Sequence, residues 1–120
     1  MKMIDTHTHL YVEAFDDDRD EVIQRAIAKG VDEFYLPAID STYTKRMLDL
    51  EKAYPDHIRL MMGLHPTHVK ENVAEELKHV EQMLDQHPYA AVGEIGIDLY
   101  WDKSTLAAQQ KAFDQQIKWA

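Results

Sequence analysis

Strand signals and helix signals alternate four times along these 120 residues, and that alternation limits the folds open to the chain more than anything else in it. The first strand reads from about Lys2 to Leu10. A helix then opens in the acidic cluster Asp16–Asp20, buries a stripe of Val22, Ile23, Ala26 and Ile27, and ends at Gly30, where a left-handed cap belongs. Val31 to Ile39 is the second strand. Asp40-Ser41-Thr42 supplies N-cap chemistry for a second helix with Tyr43, Met47, Leu50 and Tyr54 on its apolar side, and Tyr54-Pro55-Asp56 stops it. Ile58 to Leu64 is nearly continuous apolar sequence, as in a parallel strand buried on both faces. A third helix runs from Val73 to Gln86, a fourth strand from Ala90 to Ile97, and Ser104-Thr105 caps a last helix carrying Leu106, Phe113 and Ile117.

Strict alternation with short connections gives parallel strands joined by helical crossovers. The fold class is therefore α/β, built of parallel (β/α) repeats. Four such units equal the N-terminal half of a (β/α)8 (TIM) barrel, which typically takes ~250 residues. The last helix reaches Lys118-Trp119-Ala120 with no Gly, Asn or Pro to end it. Residues 1–120 are thus expected to form a partial barrel domain, truncated relative to a whole one.

The bulk properties narrow the function. With no cysteine, thiolate metal sites and disulfides are excluded, and every candidate ligand is His, Asp or Glu. No apolar leader precedes the first strand and no run is long enough to span a membrane, so the expectation is a cytoplasmic protein without membrane contact. A net charge of -9 argues against a broad electrostatic grip on nucleic acid, though it does not exclude a nuclease whose metal ions reverse the local sign.

In parallel β/α folds chemistry collects at the C-terminal ends of the strands, and the suggestive residues of this chain all fall there. His7 and His9, two apart, point to the same side of a strand and can grip one divalent ion. Gly93-Glu94-Ile95-Gly96-Ile97-Asp98 ends the fourth strand, and Glu94 can complete or bridge the site. Two glycines inside a strand signal a close approach of backbone or ligand. Asp98 is expected either in the same pocket or capping the following turn. His65, in Gly63-Leu64-His65-Pro66, is a candidate contact to a phosphate or a developing oxyanion. His68 is expected to be solvent-exposed, and His57, His79 and His87 are assigned no role. Tyr100-Trp101 could floor a cleft, with core or rim packing the plainer expectation.

Taken together, Asp5-Thr6-His7-Thr8-His9-Leu10, Gly63-Leu64-His65-Pro66, Gly93-Glu94-Ile95-Gly96-Ile97-Asp98 and the spaced Gln110, Phe113 and Gln116 resemble the TatD family of metal-dependent deoxyribonucleases, amidohydrolase-like enzymes on a (β/α)8 barrel. The resemblance runs the length of the chain. It implies that His7 and His9 bind one divalent ion (Zn, Mg or Mn), that Glu94 bridges to a second, and that His65 is the catalytic histidine near the scissile phosphate of DNA. The family's two further histidines and its catalytic aspartate have no matching positions here. Two other readings stand beside hydrolysis of DNA phosphodiesters: an amidohydrolase acting on an amide or ester, and a non-catalytic half-barrel that self-associates or pairs with a C-terminal half.

Overall fold

A computed structural model describes all of residues 1–120. Four strands, β1 (Met3–Asp5), β2 (Val31–Leu36), β3 (Ile58–Met62) and β4 (Ala91–Val92), form one sheet in the order β1-β2-β3-β4 with every pair parallel. Between them lie α1 (Arg19–Ala28), α2 (Thr44–Ala53) and α3 (Val73–Gln86), and α4 (Leu106–Trp119) follows β4. The architecture is a half-barrel. Its sheet is open at β1 and β4, and its radius of gyration is 15.0 Å, against ~13.6 Å for a closed domain of this length.

The helices cover one face of the sheet only. Phe34 and Leu36 of β2, with Ile58, Leu60 and Met62 of β3, are buried there against Ile23 of α1, Met47 and Leu50 of α2, Val80 of α3 and Ala112 of α4. The opposite face holds Ile4, Glu33, Tyr35, Arg59 and Met61 in neighbouring registers, with Glu33 and Arg59 paired at 3.2 Å. This corrects the expectation that β3 is buried on both sides. Of Leu60-Met61-Met62 only Met61 turns to the uncovered face, because the strand keeps its period of two and helices lie on one side.

All four strands are shorter than the sequence suggests, β2 and β3 by a few residues at their C-terminal ends and the first and fourth by more. The first ends at Asp5, where the carboxylate accepts the His7 N–H at 3.2 Å and turns the chain, so His7 and His9 sit in the loop beyond the strand rather than on it. The fourth stops at Val92. Beyond it the chain crosses the end of β3 toward β2: Ala38 N–H donates to the Gly93 carbonyl (3.0 Å) and Glu94 N–H to the Ala38 carbonyl (3.2 Å). Gly63 permits this crossing. A Cβ there would lie 3.0 Å from the Gly93 carbonyl carbon and 3.0 Å from the Ile95 methyl, closer than packed atoms tolerate.

The helices follow the sequence more closely. Asp40 caps the turn leading into α2 by accepting the Thr42 N–H at 2.9 Å, α3 keeps its expected limits, and Gly30 closes α1 with φ +103°. Asp16 is not a freely solvated acid. It lies 2.8 Å from Arg46 and 2.7 Å from Arg19, which hold its carboxyl down at about 2. In α4 the expected stripe of Leu106, Phe113 and Ile117 is not the buried one. The buried residues are Gln109, Ala112 and Gln116, because this face meets loop backbone with hydrogen-bonding groups to satisfy.

Candidate metal centre

Three of the four strands deliver side chains to one rim of the half-barrel. The β1 loop brings His7 and His9, the β3 loop brings His65, and the crossing after β4 brings Glu94 between them. Glu94 Oε2 lies 3.1 Å from His7 Nε2 and 3.3 Å from His9 Nε2, while Oε1 lies 3.1 Å from His65 Nε2. The ligand atoms of His7, His9 and Glu94 all fall within 4.8 Å of one another, a set that one ion could contact.

The hydrogen bonds around the imidazoles distinguish their roles. Tyr11 Oη donates to the Pro37 carbonyl, an obligate acceptor. Its oxygen can therefore only accept from His9 Nδ1, 3.0 Å away. His9 thus carries its proton on Nδ1 and turns an Nε2 lone pair toward Glu94, the orientation typical of a metal-ligating histidine. His65 is the reverse. Its Nδ1 accepts the Thr67 backbone N–H at 3.1 Å, so its proton sits on Nε2 and is donated to Glu94. One imidazole presents a lone pair to the cluster and the other a proton. Burial pushes His9 below the usual imidazole range, with Glu94 opposing the shift. A cluster with a carboxylate and an imidazole lone pair both turned inward is chemically suited to a divalent cation.

The neighbouring candidates divide. His68 is half-buried rather than exposed, 3.7 Å from Asp40 Oδ2 and 3.2 Å from Thr67 Oγ1, since the turn after His65 folds it back onto the β2 loop. Asp98 stays out of the cluster and caps its own turn, accepting the Tyr100 N–H at 3.0 Å. His57, His79 and His87 bind the Asp32 carbonyl, Thr44 and Glu51 respectively, away from this rim. Gln116, one of the spaced motif residues, and Gln109, which the sequence reading did not single out, support the site from behind. Gln116 accepts the Leu64 N–H at 2.7 Å, fixing the His65 loop. Gln109 exchanges two hydrogen bonds with the backbone of Asp98, fixing the Glu94 loop. Their seven-residue spacing places both on one helix face and was the available signal. Tyr11 extends the His7–His9 alternation by one step.

The molecule is thus a parallel α/β half-barrel with an imidazole–carboxylate cluster at the C-terminal ends of its strands. A family model described as TatD related DNase matches residues 4–120, and the chain belongs to the TatD family. Over 115 residues it is 33% identical to the uncharacterized metal-dependent hydrolase YabD of Bacillus subtilis, covering 96% of this chain and 45% of that protein. It is 29% identical to the 3'-5' ssDNA/RNA exonuclease TatD of Erwinia tasmaniensis over 96% of this chain and 44% of that protein. The crystal structure of the Escherichia coli TatD homologue YjjV superimposes with a TM-score of 0.87 at 34% identity, covering 97% of this chain and 45% of that one. The chain therefore spans just under half the length of the relatives it matches, and its four strands correspond to part of the TatD barrel. No helix is long and apolar enough to cross a membrane.

Proposed function

We propose that the chain is the metal-binding half of a cytoplasmic phosphodiester hydrolase acting on DNA, with His7, His9 and Glu94 as ligands of a divalent ion and His65 as a catalytic hydrogen-bond donor. The observation that carries the reading is the opposed proton placement on His9 and His65 around one carboxylate. The relative named as a single-strand exonuclease supports nucleic acid as the substrate class. A divalent ion held by these residues supplies Lewis-acid polarisation of a phosphoryl oxygen and an activated water. Glu94 joins the two loops, one oxygen toward His7 and His9 and the other toward His65. The His65 Nε2–H, held by Thr67, can be offered to an anionic substrate oxygen beside the ion, a role for which its tautomer is already set. A whole two-ion centre and a closed barrel call for further strands, from the rest of a longer chain or from a second copy, because three protein donors do not fix two ions.

The test is metal binding and cleavage measured on the same preparations of a closed barrel, in which this segment is joined to the further strands it calls for, with Zn²⁺, Mn²⁺ and Mg²⁺ and with single-stranded DNA, an amide and a carboxylic ester as substrates. Glu94→Gln should weaken metal affinity beyond the ~10–100-fold that loss of an outer partner costs. His65→Ala should lower turnover by ~100-fold with metal content retained. Loss of metal in His65→Ala would make it a ligand, and hydrolysis of the amide or ester alone would replace the substrate class.

A further inference from the structure

Tyr100 and Trp101 stand in solvent, 81% and 78% exposed, and they are the only aromatic residues so displayed. Neither packs in the core. Their rings meet edge to face, with centroids 4.6 Å apart at 82°. The loop that carries them is tied down on both sides. Gln109 grips Asp98 through both backbone groups, Asp98 Oδ1 accepts the Tyr100 N–H, and Asp102 Oδ1 accepts the Ser104 N–H at 2.7 Å. A narrow cleft of about 60 Å³ separates Trp101 from the loop after β3, and Thr67, whose N–H fixes His65, lies on its opposite wall. Lys70 is the one cation lining this cleft. Asp98 and Asp102 also line it, each with one oxygen committed to a loop amide.

We propose that Tyr100 and Trp101 are a stacking platform for an unpaired base of a single-stranded nucleic acid, a specificity device that rests on the phosphodiester reading of the neighbouring cluster. The chain's charge makes such a device necessary. At -9 it repels a polyanion, and a cleft with a single cation gives little counterion release. Affinity must then come from the bases, whose faces stack on aromatic rings independently of sequence. In a duplex those faces are covered by neighbouring bases, so the platform selects single strands.

The experiment uses Trp119→Phe as background, because Trp101 is then the only indole in the protein. Binding is measured in EDTA, where no cleavage occurs, with a twenty-nucleotide oligo(dT), an abasic oligomer of equal length and charge, and a duplex. Oligo(dT) should quench Trp101 fluorescence while the abasic oligomer and the duplex do not. Removing the rings (Tyr100→Ala, Trp101→Ala) should weaken oligo(dT) binding about ten- to a hundred-fold each, and Trp101→Phe should restore most of it. The slope of log affinity against log salt should stay shallow, near the ~0.7 of one phosphate contact. Equal binding of the abasic oligomer, a steep salt slope, or ring deletion without loss of affinity would overturn the proposal. Absence of phosphodiester cleavage by the metal-loaded closed barrel, this segment joined to the further strands it calls for, would instead refute the reading of the cluster, while the EDTA titration still decides stacking.

Discussion

Replacing Tyr11 by Phe removes one oxygen atom from a buried position and tests whether the tautomer of His9 matters. Tyr11 is 1% exposed, and its hydroxyl links the Pro37 carbonyl to His9 Nδ1. Phe fits the same space, so no cavity term arises. The Pro37 carbonyl loses its side-chain donor in a buried setting, which costs ~1–3 kcal/mol. His9 keeps access to water through its partly exposed ring, so its own loss adds little to unfolding. We expect Tyr11→Phe to lower stability by ~2 kcal/mol in urea denaturation. The second effect is separate. Freed from Tyr11, His9 can place its proton on Nε2 and withdraw the lone pair from Glu94. Metal affinity should then fall ~10–100-fold, equivalent to ~1.4–2.7 kcal/mol at 1.36 kcal/mol per decade, read by competitive titration against a chelating dye. A variant that is destabilised but binds metal as tightly as the wild type would refute the argument, because Tyr11 would then serve the fold alone.

Three further outcomes follow from the geometry. Gly63→Ala inserts a methyl 3.0 Å from the Gly93 backbone, so stability should drop by ~1–3 kcal/mol and metal affinity with it; an unchanged thermal midpoint would show that the crossing is not tightly packed. Asp16, held at about 2 by Arg46 and then Arg19 against an ordinary value of 3.8, contributes stability that is complete above pH ~4 and is lost as pH falls through 2. Asp16→Asn should therefore flatten the stability profile in that acid window, and an unaltered profile between pH 4 and 2 would exclude the ion pairs as its source. The 120-residue chain held monomeric should cleave DNA little or not at all, since β1 and β4 leave two unpaired edges with Ile4 exposed beside them; light scattering with a parallel nuclease assay checks this, and a stable, active monomer would contradict it.

The order of elements and the parallel sheet were legible because helix and strand periodicities differ and Asp40, Gly30 and Tyr54-Pro55 punctuate them. The limits of α3 were legible to the residue. Strand ends were not. His7 and His9 alternate as strand residues do, yet the Asp5 carboxylate captures the His7 amide and ends β1 early, a competition between side chain and ladder that alternation cannot reveal. The glycines at 93 and 96 were read as a sign of close approach: Gly93 meets it, crossing against Gly63 and Met61, whereas a Cβ at Gly96 would meet nothing within 4 Å. The inner face of α4 was misread because burial was equated with apolarity. Gln109 and Gln116 are buried to answer backbone groups, and their partners lie 11 and 52 positions away in the chain.

That last separation bears on how the protein is made. The loops bearing His65 and Glu94 leave the ribosome long before Gln116 does, and until α4 docks the Leu64 amide lacks the glutamine that receives it. Synthesis proceeds from the N-terminus, so the histidines and the carboxylate emerge first as separate, loosely held groups. The helix that fixes their spacing follows all of them, so the geometry of the cluster waits on a segment that carries none of its donors.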